Sequence, residues 1–153
     1  MKTGHLIIAL ALLLTCSGSA WCLSPQDVLN AKQSGDEGIT VVYPVNQDQA
    51  WEIAHAVLHW LHSNMIEDHQ DQNYMLTSIG ASTCACRAEV GVWIETVREN
   101  YTRVTIITKG KVSQNDFTKM ETFHDKLKPD FIIKFRKGVE IVKIGRQLPF
   151  NPP

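Results

Sequence analysis

The longest regular pattern of apolar and polar positions in the 153-residue chain lies between residues 84 and 110. Every second residue from Cys84 to Ile94 is apolar or a thiol, and charged side chains fall between several of them. A period of two is typical of a half-buried β-strand. Tyr101–Lys109 follows after a turn at Glu99-Asn100, so the two segments predict a β-hairpin.

Shorter stretches extend this pattern towards the N-terminus. Ile39–Tyr43 and Tyr74–Ile79 are predicted strands, and residues 65–72 are a further strand candidate with a polar turn. After the first strand the spacing changes to that of an amphipathic helix, for which Asn46 is the expected N-cap. The buried stripe of this helix is predicted to consist of Ala50, Ile53, Ala54, Val57 and Leu61.

The C-terminal third predicts another helix and then a hairpin. Ser113 or Asn115 is expected to cap the helix, and Pro129 is expected to end it. Residues 131–144 are rich in β-branched and aromatic side chains, with a turn at Lys137-Gly138, and this favours a β-hairpin. A basic amphipathic helix is the alternative, and a glycine in its interior argues against it.

Together these elements predict an α+β fold: an antiparallel β-meander sheet with two helices packed on one face and a C-terminal β-hairpin. We divide the chain into a signal peptide (1–20), a linker or tether (21–38), a single α+β domain (39–146) and a tail (147–153). Trp93 falls on the outer face of the sheet, where we expect the C-terminal hairpin to cover it.

The N-terminus has the layout of an export signal. Lys2 precedes the unbroken apolar run Leu6–Leu14, which is too short to span a bilayer, since that requires about 20 apolar residues. Two cleavage sites remain open. Leu13–Cys16 resembles a lipobox, which would make Cys16 the lipidated first residue, although Thr15 fits that motif poorly. Gly18–Ala20 is a small-x-small site for ordinary signal peptidase. Either site predicts an exported protein that is periplasmic or anchored in the outer membrane.

The charge balance argues against a nucleic-acid partner. The chain has 15 Lys and Arg against 16 Asp and Glu, and either cleavage removes one further basic residue. The charges are unevenly spread along the chain. The charged residues between positions 36 and 71 are all Asp or Glu, and those between positions 126 and 146 are mainly Lys or Arg. The two regions either face solvent or attract each other, or the basic one contacts an anionic envelope protein or membrane surface.

Three segments together resemble a bacterial family of small uncharacterised lipoproteins. They are "VVYPVNQDQAWEIAHAVL", "EVGVWIETVRENYTRVTIITKG" and the helix from Asp116, within residues 39–127. The resemblance implies an envelope-facing strand-helix-meander-helix domain, and it supplies no catalytic residues to transfer. The cysteine pair and the C-terminal hairpin depart from the family pattern.

Cys84 and Cys86 are the first candidate site. Two thiols at i and i+2 of a strand point the same way, with Cα atoms about 6.5–7 Å apart, at the limit for a disulfide. Both share the apolar face of the strand, where cysteine packs as a small hydrophobe. Core thiols are therefore favoured, a disulfide that involves Cys22 remains open, and a zinc site lacks a second ligand pair.

His55, His59 and His62 are the second candidate site. At i, i+4 and i+7 of the first helix they project within about 60° of one another, away from the buried stripe. Histidines at this spacing can chelate Zn²⁺ or Cu²⁺, and acidic residues follow at 67–71. The other interpretation is a solvated polar face that contains histidine.

Motifs of catalysis do not stand out. The sequence has no glycine-rich phosphate loop, no G-x-S-x-G and no H-E-x-x-H. We therefore predict an exported cell-envelope lipoprotein with a non-enzymatic binding or scaffolding role and no cofactor. The alternative is a periplasmic metal-binding protein that holds Zn or Cu through the histidine patch.

Overall fold

A computed structural model of the chain describes residues 23–80, 87–110 and 117–149, with backbone alone at residue 64 and residues 117–125. Three α-helices and five β-strands follow one another in these ranges. In chain order they are α1 (Pro25–Gln33), β1 (Ile39–Tyr43), α2 (Gln47–Trp60), β2 (Ser63–His69), β3 (Tyr74–Gly80), β4 (Arg87–Arg98), β5 (Tyr101–Gly110) and α3 (Phe117–Lys143). A short 3₁₀ turn, Gln70–Gln72, joins β2 to β3.

The five strands form one antiparallel sheet in the order β1-β5-β4-β3-β2. Strands β2 to β5 are neighbours in chain order, and β1 adds to the free side of β5. The predicted α+β class with an antiparallel meander is confirmed. The β4–β5 hairpin pairs Ala88 with Gly110 and Arg98 with Tyr101, and Asn100 takes the positive φ of 58° that its tight turn requires.

The main core lies between one face of the sheet and the helices α2 and α3. Helix α2 begins where predicted, because the Asn46 side chain accepts a hydrogen bond of 2.8 Å from the Gln49 backbone N–H. Its predicted stripe faces this core, with Leu61 at the partly buried margin. The largest completely buried side chains here are Phe131, Phe135, Ile53, Leu58, Met75, Ile94 and Ile106.

The predicted C-terminal β-hairpin is wrong, because residues 117–143 form the single helix α3. Pro129, the predicted end of that helix, lies inside it on the solvent side. A proline in a helix removes one backbone hydrogen bond and costs about 3 kcal/mol. Burial of side chains that recur every fourth residue offsets this cost, and the buried row is Leu127, Phe131, Phe135 and Val139.

Gly138 marks a close approach of α3 to α2. A Cβ at this position would lie 2.6 Å from Ile53 Cγ2, so only glycine lets the two helices come this close. The glycine that suggested a hairpin turn is thus a packing position in the middle of a helix.

The segment predicted as a linker or tether contains helix α1, so the domain boundary drawn at residue 39 is wrong. Ser24 caps this helix, with its backbone N–H donating to Asp27 Oδ2 over 2.7 Å. Pro25 occupies the first helical turn, where its missing N–H costs nothing. The folded domain therefore includes α1.

Helix α1 packs on the face of the sheet opposite α2 and α3. Val28 and Ala31 are buried there, and Lys32 places its ammonium 5.3 Å from the centre of the Trp93 ring. Trp93 does lie on the outer face of the sheet, and it is α1 that covers it. Of the helices in the ranges given above, none has the length and apolarity needed to cross a bilayer.

Candidate functional site

An open groove of about 720 Å³ runs between the outer side of α2 and the segment that follows α3. Its lining combines apolar and titratable side chains, which is typical of a binding site for a ligand that has both kinds of group. The residues that characterise it are Trp51, Glu52, His55, His59, Arg146 and Leu148.

The first wall of the groove follows directly from helical geometry. Glu52, His55 and His59 occupy positions i, i+3 and i+7 of α2, so they line up along one side of the helix. The neighbouring Trp51 is buried and also lines the groove.

The second wall depends on how α3 ends. Gly145, at φ +71°, donates its N–H to the Val142 carbonyl, and Arg146 donates to the Ile141 carbonyl. This pair of hydrogen bonds is a Schellman motif, and the left-handed glycine turns the chain back towards α2. Arg146 is thereby placed on the rim of the groove.

The returning segment is fastened to α2. The Trp60 indole N–H donates a hydrogen bond of 3.0 Å to the carbonyl oxygen of Pro149, and Leu148 packs against the main core. Trp60 itself is buried, so this hydrogen bond satisfies an indole that would otherwise lack a partner. Residues 147–149 of the predicted tail are thus a wall of the groove.

The structure brings together two of the three predicted metal-binding histidines. The His55 and His59 ring centroids are 6.5 Å apart, and His55 Nε2 lies 2.8 Å from Asp68 Oδ1 on strand β2. His62 lies beyond the last residue of α2, exposed and in the left-handed conformation at φ +58°. The helical spacing predicted a row of three, and the end of the helix removes the third from that row.

The described ranges contain no group of three or more His, Cys, Asp or Glu side chains placed to hold a metal ion. His69, which follows the acidic pair of β2, stacks on Tyr74 with ring centroids 4.6 Å apart. Its Nε2 is 4.0 Å from Glu67 Oε2. This histidine therefore serves the packing of the β2–β3 hairpin rather than the groove.

The predicted lipidation site and the paired thiols, Cys16, Cys84 and Cys86, lie outside the described residues. The strand that follows the thiols does turn Ala88 and the alternate residues up to Ile94 into the main core, as the period-two pattern predicts. The choice between core thiols and a disulfide remains a prediction.

A buried charged cluster on the opposite face of the sheet was not foreseen from the sequence. Glu89 is 0% exposed, and its Oε1 lies 2.6 Å from Arg87 Nε. These two atoms form an ion pair, but their geometry is not that of a hydrogen bond. Ser78 Oγ donates to Glu89 Oε2 over 2.8 Å, and Arg87 Nη2 donates to Ser78 Oγ over 2.6 Å. Opposite charges at i and i+2 on one strand face are the sequence signal for this cluster.

A second ion pair lies beside that cluster, on the neighbouring strand. Lys109 Nζ donates to Asp36 Oδ2 over 2.8 Å. This hydrogen bond, helped by one from the Gly38 backbone N–H, lowers the pKa of the Asp36 carboxyl below its usual value. The pair fastens the loop after α1 to β5, which is a structural role.

No protein-family model and no curated protein matches the chain. Among solved structures, a similar chain is that of the crystal structure of a conserved protein from Geobacillus kaustophilus. The two chains are 10% identical, the match covers 66% of this chain and 92% of the other, and the TM-score is 0.36. A likeness at this level bears on neither family nor function.

Proposed function

We propose that the protein is exported to the cell envelope, is anchored by lipid at Cys16, and acts there by binding through the groove between α2 and the segment after α3. The observation that carries the binding role is the lining of this groove, where Trp51 and Leu148 lie beside Glu52, His55 and Arg146. Such a surface suits a partner with both apolar and charged groups.

Export is supported by the N-terminal sequence. It has the layout of a secretory signal: a basic residue comes first, a short apolar run follows, and a cysteine and small residues come after the run. Helix α1 starts at Pro25, so few residues would separate a lipid on Cys16 from the folded domain. The domain would then be held close to the membrane surface.

A binding role fits the groove better than catalysis does. The groove is open to solvent, whereas catalytic groups gain their strength in sites from which water is excluded. His55, the side chain best placed for proton transfer, already shares Nε2 with Asp68. Catalysis would require that contact to be exchanged for one with the substrate.

Intact-mass analysis of the protein from isolated membranes tests the anchoring. We expect a chain that begins at Cys16 and carries diacylglycerol. A chain that begins at Trp21 without lipid would overturn the anchoring and leave export intact. A chain that still begins at Met1 would overturn export itself.

Site-specific photo-cross-linking in intact cells tests the groove. A photoreactive residue at Glu52, on the groove rim, is expected to give a discrete cross-linked product. The matched control is Gln26, which is exposed on α1 at the other face of the sheet. The same products from both positions, or none from Glu52, would contradict the assignment of the groove.

Metal binding is the second candidate, and the proximity of the His55 and His59 rings favours it. Two imidazoles on one helix face can hold Zn²⁺ or Cu²⁺ weakly. Under our main proposal, calorimetric titration with either ion should show no binding tighter than micromolar. Tighter binding that His59→Ala abolishes would establish the metal function instead.

A further inference from the structure

The two outer strands of the sheet present different edges. In β2 the register shifts between Ser63 and Ile66, and charged side chains follow at Glu67 and Asp68. Bulges and charges are the usual protection of an edge against an additional strand. Strand β1 pairs with β5 in unbroken register along its whole length and contains no charged residue.

Within residues 23–80, 87–110 and 117–149, no strand pairs with the outer edge of β1. Val42 is 48% exposed, Thr40 is exposed, and Ile39 and Val41 are half-buried at the margin of the main core. An edge strand carries a row of backbone N–H and C=O groups that can pair with another chain. A segment added here would continue the sheet beyond β1.

Helix α3 packs against β1, and two of its basic residues lie near the two ends of this strand. Phe135 stacks near Tyr43 at the end of β1, with ring centroids 4.5 Å apart, so Arg136 lies at that end. Lys128 lies about two helical turns earlier, or about 12 Å, which matches the roughly 13 Å length of β1. Ile132, between the two basic residues, is half-buried against the core.

Electrostatic effects agree with this placement. The Asp36 carboxyl, just before β1, has its pKa lowered mainly by Lys109, and Lys128 adds a smaller effect of the same sign. Burial raises the pKa of Tyr43 at the other end of β1, and the Arg136 charge opposes that rise. Lys128 therefore lies near Asp36, three residues before β1, and Arg136 lies near Tyr43 at the other end of the strand.

We propose that the edge of β1 binds an extended segment of a partner protein as a sixth strand, and that Lys128 and Arg136 select segments with acidic side chains facing α3. Backbone hydrogen bonds would supply affinity, and the basic pair would supply selectivity. A second copy of this chain is a poorer occupant, because antiparallel pairing of two β1 strands would place two basic rows side by side.

Fluorescence anisotropy with two labelled synthetic peptides tests the proposal on the purified protein. One peptide alternates valine and glutamate, and the other alternates valine and lysine. We expect the glutamate peptide to bind about tenfold more tightly, as two half-exposed ion pairs allow, and salt to reduce the difference. Hydrogen exchange should show new protection at β1 amides when the peptide binds.

Charge reversal provides the matched control. The double variant Lys128→Glu/Arg136→Glu should invert the preference between the two peptides. The variant Lys126→Glu/Lys137→Glu changes the net charge equally at exposed positions elsewhere on α3 and should preserve the preference. Equal affinity for both peptides, inversion in the control, protection outside β1, or a dimer that pairs two β1 strands would each overturn the proposal. None of these results depends on export or on the groove.

Discussion

The two faces of the sheet are covered in different ways. One face is buried under α2 and α3, which together form a continuous apolar core from Tyr43 to Val139. The other is covered by the nine-residue helix α1 over a small cluster that includes Trp93, with the charged residue Glu89 buried beside it. We therefore expect the free energy of opening to differ between the two faces. The first face should unfold only when the whole domain unfolds, and the second should also open locally.

The largest expected effect is on the first face. Phe131→Ala removes a ring that is 0% exposed and should lower the free energy of unfolding by about 3–5 kcal/mol. Ile133→Ala, at a side chain 65% exposed on the same helix, should change it by less than about 0.5 kcal/mol. Urea denaturation followed by circular dichroism measures both, and equal losses would refute the assignment of the core to this face.

The next effect is on the charged cluster of the second face. Arg87→Ala leaves the buried Glu89 carboxylate without its counter-charge and should cost about 2–3 kcal/mol. This loss lies at or below the low end of the range of about 3–5 kcal/mol for buried pairs. The reason is that the Arg87 side chain is 37% exposed, so water can enter in its place. Replacing the pair together, as Arg87→Met/Glu89→Leu, should recover most of the loss. A double variant that is less stable than Arg87→Ala would contradict a charge-based explanation.

The first face could be predicted from the sequence because its signals are periodic and local. The alternation from Ala88 to Ile94 and the capped helix that starts after Asn46 both specify a buried side directly. Even there, Pro129 and Gly138 misled the prediction of the last segment. The four-residue spacing from Leu127 to Val139 was present, but the proline and the β-branched residues suggested a break and a hairpin.

The second face could not be predicted in this way. Helix α1 buries only Val28 and Ala31 completely, which is too short a stripe to distinguish a helix from a polar linker. Much of the candidate site could not be predicted either, because it is formed by contacts between segments that are distant in the sequence. Helical spacing brought His55 and His59 together, but Asp68 and Pro149 reach α2 only through the tertiary fold.

The third prediction concerns the fit of α1 on the sheet. A Cβ at Gly91 would lie 2.6 Å from both Val28 Cγ1 and Trp93 Cζ3, so Gly91→Ala should push α1 outwards and cost about 1–3 kcal/mol. Amide hydrogen exchange in α1 should accelerate more than exchange in α2. An equal acceleration in both helices would show that the two faces unfold as one unit.

The smallest expected effect is at the margin of the second face, where Asp36 and Lys109 fasten the loop after α1. The folded pKa of Asp36 lies below 3.8, so its contribution to stability is present above that pH and is lost as pH falls through the folded pKa. Because both side chains are about a third exposed, Asp36→Asn should cost less than about 1 kcal/mol at pH 7. Urea denaturation of both proteins at pH 7 and at about pH 2.5 should show that the stability difference between them is smaller at the acidic pH.

Hydrogen exchange tests whether the ion pair holds α1 on the sheet. In the variant, the amides of α1 should exchange faster, and the amides of the β4–β5 hairpin should exchange at an unchanged rate. A stability difference that persists undiminished in acid would mean that the Asp36 side chain acts through packing, and the ion pair would then have no part in holding α1 in place.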